Sequence, residues 1–319
     1  MDTDSPHLLS APTVCKRGLL HVFLCGTGCT PTETPCNFFL SASLAQGLHT
    51  IALSYQWGNL SDSERNAACF AQGGQAQLVA YHSDVVFGGN ASGLIDCREG
   101  NSVYERLADL LLFLVKSRPA DEAWESFVEN GEPKWEKIIF SGHSQGSGHV
   151  CLLAKRKRLA AALFISGPQE LMPEDEEDSW LGGPFTTSQL FAFAHDAEEI
   201  TASLIRGCWT AIKPLHFSYA VGSASHLPPF PFPTSSPADA MAGGHRTFSS
   251  SVLPDPACGD FGGRPNHNST ISDANTPFVL RSSEPLYYPL WSHLFASAAA
   301  QQRHQQQQQQ EDTAARSSL

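Results

Sequence analysis

The chain has 319 residues, 41% of them hydrophobic, and its 32 Asp and Glu outnumber 20 Lys and Arg to leave a formal net charge of -12. That length and apolar content can bury the core of one large α/β domain without disulfide or metal staples. The acidic balance argues against nucleic acid and against anionic membrane surfaces as partners, because both reward clustered Lys and Arg.

The first elements form one βαβ unit. Residues 19–25 (LLHVFLC) are a short apolar run bounded by Gly18 and Gly26, the pattern of a buried parallel strand. Gly26-Thr27-Gly28 opens a loop, residues 36–46 fit a helix, and residues 49–55 fit a second strand. From Gln56 to Gly100 the pattern dissolves into Gly, Asn, Ser and Asp, so this stretch is expected to be an insertion of turns, with short strands near Gln77–Val86. An amphipathic helix follows at 103–116, where Val103, Leu107, Leu110, Leu111 and Leu114 share one face.

Residues 136–140 form a third strand, 146–158 a helix and 160–166 a fourth strand. An acidic connection, Pro173–Trp180, precedes a strand at 189–194 and a helix from about 197 to 209. The alternation predicts an α/β fold: a mostly parallel central sheet with helices on both faces. Beyond Pro214 the sequence becomes rich in Pro, Ser and Gly, and five prolines crowd 228–237. The expected organisation is an N-terminal extension at 1–17, one domain at 18–300 with the insertion at about 56–100, and a disordered Gln-rich tail at 301–319.

No stretch reaches the roughly 18 apolar residues of a membrane helix, and Met1–Ser10 lacks the basic start and apolar run of a signal peptide. The expectation is a cytoplasmic protein without an integral membrane segment. Nine cysteines contain no CxxC pair; Cys69 and Cys97 would pair across the insertion only in an oxidising compartment.

The chemistry centres on Gly142-His143-Ser144-Gln145-Gly146. A serine hydroxyl is a weak nucleophile and needs exposure, a base and a site for the developing oxyanion. Glycines at i-2 and i+2 let the chain turn sharply from the strand ending near Phe140 into the following helix, with the hydroxyl at the apex. The Gln145 N–H, at the helix N-terminus, is then one oxyanion donor. The loop after the first strand would supply the second, from Thr27 or Gly28.

Strand-elbow-helix nucleophiles of this kind take their acid and then their His further along the chain. Asp196, directly after the strand 189–194, is the leading acid and Glu170 a weaker alternative. Glu198 and Glu199 fit the first turn of a helix, where acidic residues favour the dipole. His226, His245 and His267 are the candidate bases, and His245, behind Gly243-Gly244, is preferred. His143 is expected to line the substrate pocket or to lie buried beneath it. With His149 it offers two imidazoles but no third ligand, so neither a metal nor another cofactor is expected.

The early Cys25-Gly26-Thr27-Gly28 segment, the GHSQG elbow, Asp196 after a strand and the late His245 together resemble the α/β-hydrolase superfamily, over about residues 18–250. The Ser-Gln-Gly half of the elbow is similar to cutinases and small carboxylesterases. The resemblance implies hydrolysis of a small-molecule carboxylic ester, or a thioester or amide, through an acyl-enzyme on Ser144. The competing expectation is a catalytically silent hydrolase fold used as a binding or scaffold module. The sequence departs from the pattern in having no His-Gly-Gly-Gly oxyanion loop, and in its proline-rich stretch where the histidine is usually delivered.

Overall fold

The computed structural model describes residues 5–13, 16–33, 36–58, 60–171, 179–199, 201–212, 218–221, 246–254, 263–279 and 283–300. His226, His245, the prolines at 228–237, most of the acidic connection and the Gln-rich tail lie outside the described residues. Eight strands form the main sheet: β1 (Leu8–Ser10), β2 (Leu20–Leu24), β3 (His49–Ala52), β6 (Ile138–His143), β7 (Ala161–Ile165), β8 (Leu190–His195), β9 (Ser218–Val221) and β10 (Thr247–Ser250). Two further strands, β4 (Val128–Glu129) and β5 (Glu132–Pro133), make a small separate ribbon. The main order is β1-β3-β2-β6-β7-β8-β10-β9, and every pair except the edge pair β1 and β3 is parallel.

Period-two alternation divides the core between the two faces of this sheet. Leu20, Val22 and Leu24 of β2 join Ile138, Phe140, Ala162 and Phe164 on one face. Phe23 joins Ile139, Leu163 and Ile165 on the other. The first face is covered by α3 (Gln75–Phe87), α4 (Val103–Ser117), α5 (Gln145–Arg156) and α6 (Ala202–Ala211). The second is covered by α1 (Asn37–Ala45), through Phe39, and by the helix over 288–300, through Trp291, Leu294 and Phe295. Burying each such aromatic or leucine contributes roughly 1.5–3 kcal/mol, so both coverings anchor the sheet.

α4 forms where the sequence places it. Ser102 caps it, accepting from the Glu105 N–H while Glu105 reaches back, and Val103, Leu107, Leu111 and Leu114 face the core. The stretch 56–100 differs from expectation: among its described residues it holds two helices, α2 (Asp62–Gln72) and α3, and no strand. Ser61 and Glu64 form a capping box at the start of α2, and Leu78, Tyr81, Val85 and Val86 of α3 are buried. Cys69 and Cys97 are buried and unbonded.

A buried polar cluster ties these helices to the centre of the molecule. Glu170 Oε1 lies 3.3 Å from Arg65 Nη2 and 3.1 Å from His82 Nε2, and His82 Nδ1 is 2.9 Å from His149 Nδ1 on α5. Burial alone would raise the Glu170 pKa, but the Arg65 and His82 charges overcome it and hold the carboxyl at about 2. Arg65 is fully buried. Glu170→Gln, which leaves the guanidinium without its counter-charge, is therefore expected to cost about 3–5 kcal/mol, read as a lowered urea midpoint at unchanged slope. A loss below about 1 kcal/mol would show that the pair contributes no more than a surface bridge.

Candidate active site

β6 runs without interruption into the elbow, and all six of its residues are buried. Ser144 caps α5 with φ 55° and ψ -123°, a strained conformation for a residue with a side chain. The flanking glycines are required by close approach. A Cβ on Gly142 would lie 2.3 Å from the Gly146 carbonyl group, and one on Gly146 would lie 2.3 Å from the Leu24 oxygen. Gly26, at the exit of β2, comes so close to the elbow that its Cβ would be 2.8 Å from the Cβ of Ser144. The elbow and the loop after β2 thus meet at one point.

Side chains fix that meeting. Thr27 Oγ1 donates to Gln145 Oε1 at 3.1 Å, Gln145 Nε2 donates to the Tyr81 hydroxyl at 2.9 Å, and that hydroxyl donates to the Trp57 oxygen at 2.8 Å. The loop carrying Thr27 and Gly28 is therefore pinned to the first residue of α5, and α3 from the insertion holds the pin. Thr27 and Gly28 share with Ser144 a cavity of about 350 Å³.

His143 and His267 also line this cavity. His267 sits on the short helix Pro265–Ser269, which begins with proline at its first position, where a missing N–H costs nothing. Its Nδ1 lies 2.6 Å from Glu198 Oε2, and both side chains are nearly inaccessible. Burial would raise the Glu198 carboxyl, yet the adjacent His267 charge and hydrogen bonds from His267 and Thr201 hold it at about 2. The neighbouring Glu199 accepts the backbone N–H groups of Asn266 and His267, at 2.7 and 3.2 Å, so two consecutive carboxylates secure the ring and the backbone of the same histidine.

The His267 ring has two further neighbours. Gln169 Nε2 is 3.3 and 3.4 Å from its two nitrogens, which places the amide over the ring face. The His143 ring packs against it at 4.7 Å between centroids. Burial, reinforced by the His267 charge, pushes the His143 pKa down to about 3, so His143 is neutral near pH 7.

A serine at the apex of a strand-to-helix elbow, at the centre of a mostly parallel sheet, decides the fold. The chain has the α/β-hydrolase fold. No family model matches the chain, and no curated protein matches it. Among solved structures it is similar to a sugar hydrolase from Lactococcus lactis, at 9% identity over 96% of each chain with a TM-score of 0.41. It is also similar to a serine hydrolase without a lid from Xanthomonas campestris, at 13% identity over 66% of this chain and 73% of that one, TM-score 0.36. A Bacillus cereus carboxylesterase matches at 13% identity over 66% of this chain and 82% of that one, TM-score 0.35.

Within the α/β-hydrolase fold, the residues expected to form the site fall into two groups. Ser144, His143, Thr27 and Gly28 line one cavity, and Gln145 is buried directly behind it. Asp196 is exposed at the end of β8 and lines a different cavity of about 280 Å³ together with Arg206 and Trp209. Glu170 faces Arg65 and His82. The imidazoles that share the cavity with Ser144 are those of His143 and His267, and the carboxylate touching His267 belongs to Glu198.

Proposed function

We propose that the protein is a serine hydrolase acting on small carboxylic esters, with Ser144 as nucleophile, His267 as base and Glu198 as the acid that orients it. The observation that carries this reading is the 2.6 Å contact between Glu198 Oε2 and His267 Nδ1 in a cavity shared with Ser144. An acceptor on Nδ1 fixes the proton there and leaves Nε2 as the acceptor for a serine proton.

In this scheme Ser144 Oγ attacks the ester carbonyl as His267 Nε2 takes its proton, and Glu198 stabilises the resulting imidazolium. The oxyanion forms beside the Gln145 N–H, at the positive end of α5, and a donor from the Thr27–Gly28 loop. His267 then protonates the departing alcohol, and water repeats the sequence on the acyl-enzyme. The neutral His143 adds no competing charge.

The experiment is labelling with a fluorophosphonate, which forms a bond to an activated serine. The intact protein is expected to take one label and Ser144→Ala none. Absence of label on the folded parent, or equal label on Ser144→Ala, would favour a silent binding module.

A further inference from the structure

The same cavity contains one more charged side chain. Arg264 lines it with Ser144 and His267 and stands three residues before His267, one turn away across the start of the short helix. Among the described residues no Asp or Glu lines this cavity, and no carboxylate oxygen lies within 4.0 Å of the guanidinium. Its nitrogen Nη2 donates to Thr201 Oγ1 at 2.9 Å, and that hydroxyl donates to Glu198 Oε2 at 3.0 Å. The hydroxyl therefore anchors one edge of the fork without neutralising it. Nε is buried with no hydrogen-bond partner among the described residues.

A guanidinium has donors only and keeps its charge at every working pH. Held partly out of water with a donor unspent and no carboxylate in direct contact among the described residues, it is costly unless a ligand supplies an anion. Its planar fork matches a carboxylate. The setting is also selective: in a protein whose net charge is -12, the cavity holding Ser144 is lined, among the described residues, by a cation and no anion, and screening confines the general repulsion to roughly 8 Å. The other wall is apolar, with Phe23 and Ile271.

We propose that Arg264 forms an anion-binding subsite and that the preferred substrate is an ester carrying a carboxylate, its uncharged part lying on Phe23 and Ile271. This rests on the hydrolase reading of Ser144, and the two fail differently. Two pairs of esters on shared skeletons, differing by one added carboxylate, are compared: p-nitrophenyl butyrate with mono-p-nitrophenyl glutarate, which carries the charge on the acyl side, and phenyl acetate with 4-acetoxybenzoate, which carries it on the alcohol side. For at least one pair, kcat/KM of the parent is expected to favour the anionic ester by about 10- to 100-fold, the range of a charge-assisted hydrogen-bond pair.

Arg264→Gln is expected to bring that ratio to near one, and Arg264→Lys to retain part of it. Because each ratio is taken within one protein, a loss of folded material lowers both esters and leaves it unmoved. Should Arg264→Gln not fold, inhibition of the parent replaces it: glutarate is expected to compete with the neutral ester, and glutaramide is not. Hydrolysis of neutral esters with ratios near one in both pairs, or a preference that survives Arg264→Gln, would overturn the subsite and leave the hydrolase intact. Failure of Ser144 to take the fluorophosphonate would remove both.

Discussion

His267→Gln is expected to lower kcat on a p-nitrophenyl ester by about 10⁴- to 10⁶-fold, and Glu198→Gln by about 10³- to 10⁴-fold, the order found when a base or its orienting acid is removed from a serine triad. The two losses should not multiply, because the acid acts only through the base. The Gln at 198 keeps the size of the side chain but can present an N–H to Nδ1, which favours the tautomer that no longer accepts the serine proton. The controls are Asp196→Asn and His245→Ala. Asp196 lies in another cavity, so its replacement is expected to leave the rate near that of the parent. A collapse with Asp196→Asn or His245→Ala, beside near-normal rates for His267→Gln, would return the triad to the pair expected from sequence. Circular dichroism on each variant separates lost chemistry from lost structure.

The difference between these pairs shows which features of the chain are readable locally. The placement of Ser144 at a strand-to-helix turn is legible because its neighbours in sequence are also its neighbours in space: β6, the two glycines and α5 are contiguous. The placement of Thr27 and Gly28 in the same cavity is legible because they follow the adjacent parallel strand. The acid and base are joined by chain that folds back over long separations, and a small shift in an element boundary decides which carboxylate meets the histidine. A helix expected from 197 begins instead at Ala202, so Glu198 and Glu199 lie in a turn facing the His267 helix and not in a helical first turn. Pro265, two residues before His267, was an available signal for a helix start. Within 56–100, the Ser61-to-Glu64 capping box and the spacing of Leu78, Tyr81 and Val85 likewise carried the helices that the polar composition masked.

The second large effect concerns pH and stability. Unfolding free energy is expected to fall steeply between pH 6.5 and pH 5, well before ordinary carboxylates titrate. His21 is fully buried and His143 nearly so, and burial is the main cause that pushes both imidazoles from 6.5 to about 3. His149 is driven well below 6.5 by burial and by the charges of His82 and Arg65. In the native state these rings stay neutral, whereas in the unfolded chain they bind protons once the pH drops below 6.5. The unfolded state therefore holds more protons, and stability declines with falling pH. At pH 5 each of His21 and His143 contributes a loss of about 2 kcal/mol, and His149 adds to it with the same sign. The total is a large share of the roughly 5–15 kcal/mol available to a folded domain.

Glu170 and Glu198 extend the decline further. Both are held at about 2, so below 4.5 the unfolded carboxylates protonate before the native ones and stability drops again, down to about pH 2. Urea midpoints measured from pH 8 to pH 5 give the slope. His21→Gln removes one titrating group from β2 and is expected to reduce the slope toward its pH 5 end by up to one proton, about 1.4 kcal/mol per pH unit, whatever it costs through the lost 2.6 Å contact with Ser141. A flat profile from pH 7 to pH 5 would mean that these imidazoles are hydrated or already protonated in the native state, and His143 could then no longer be the neutral wall against which His267 works.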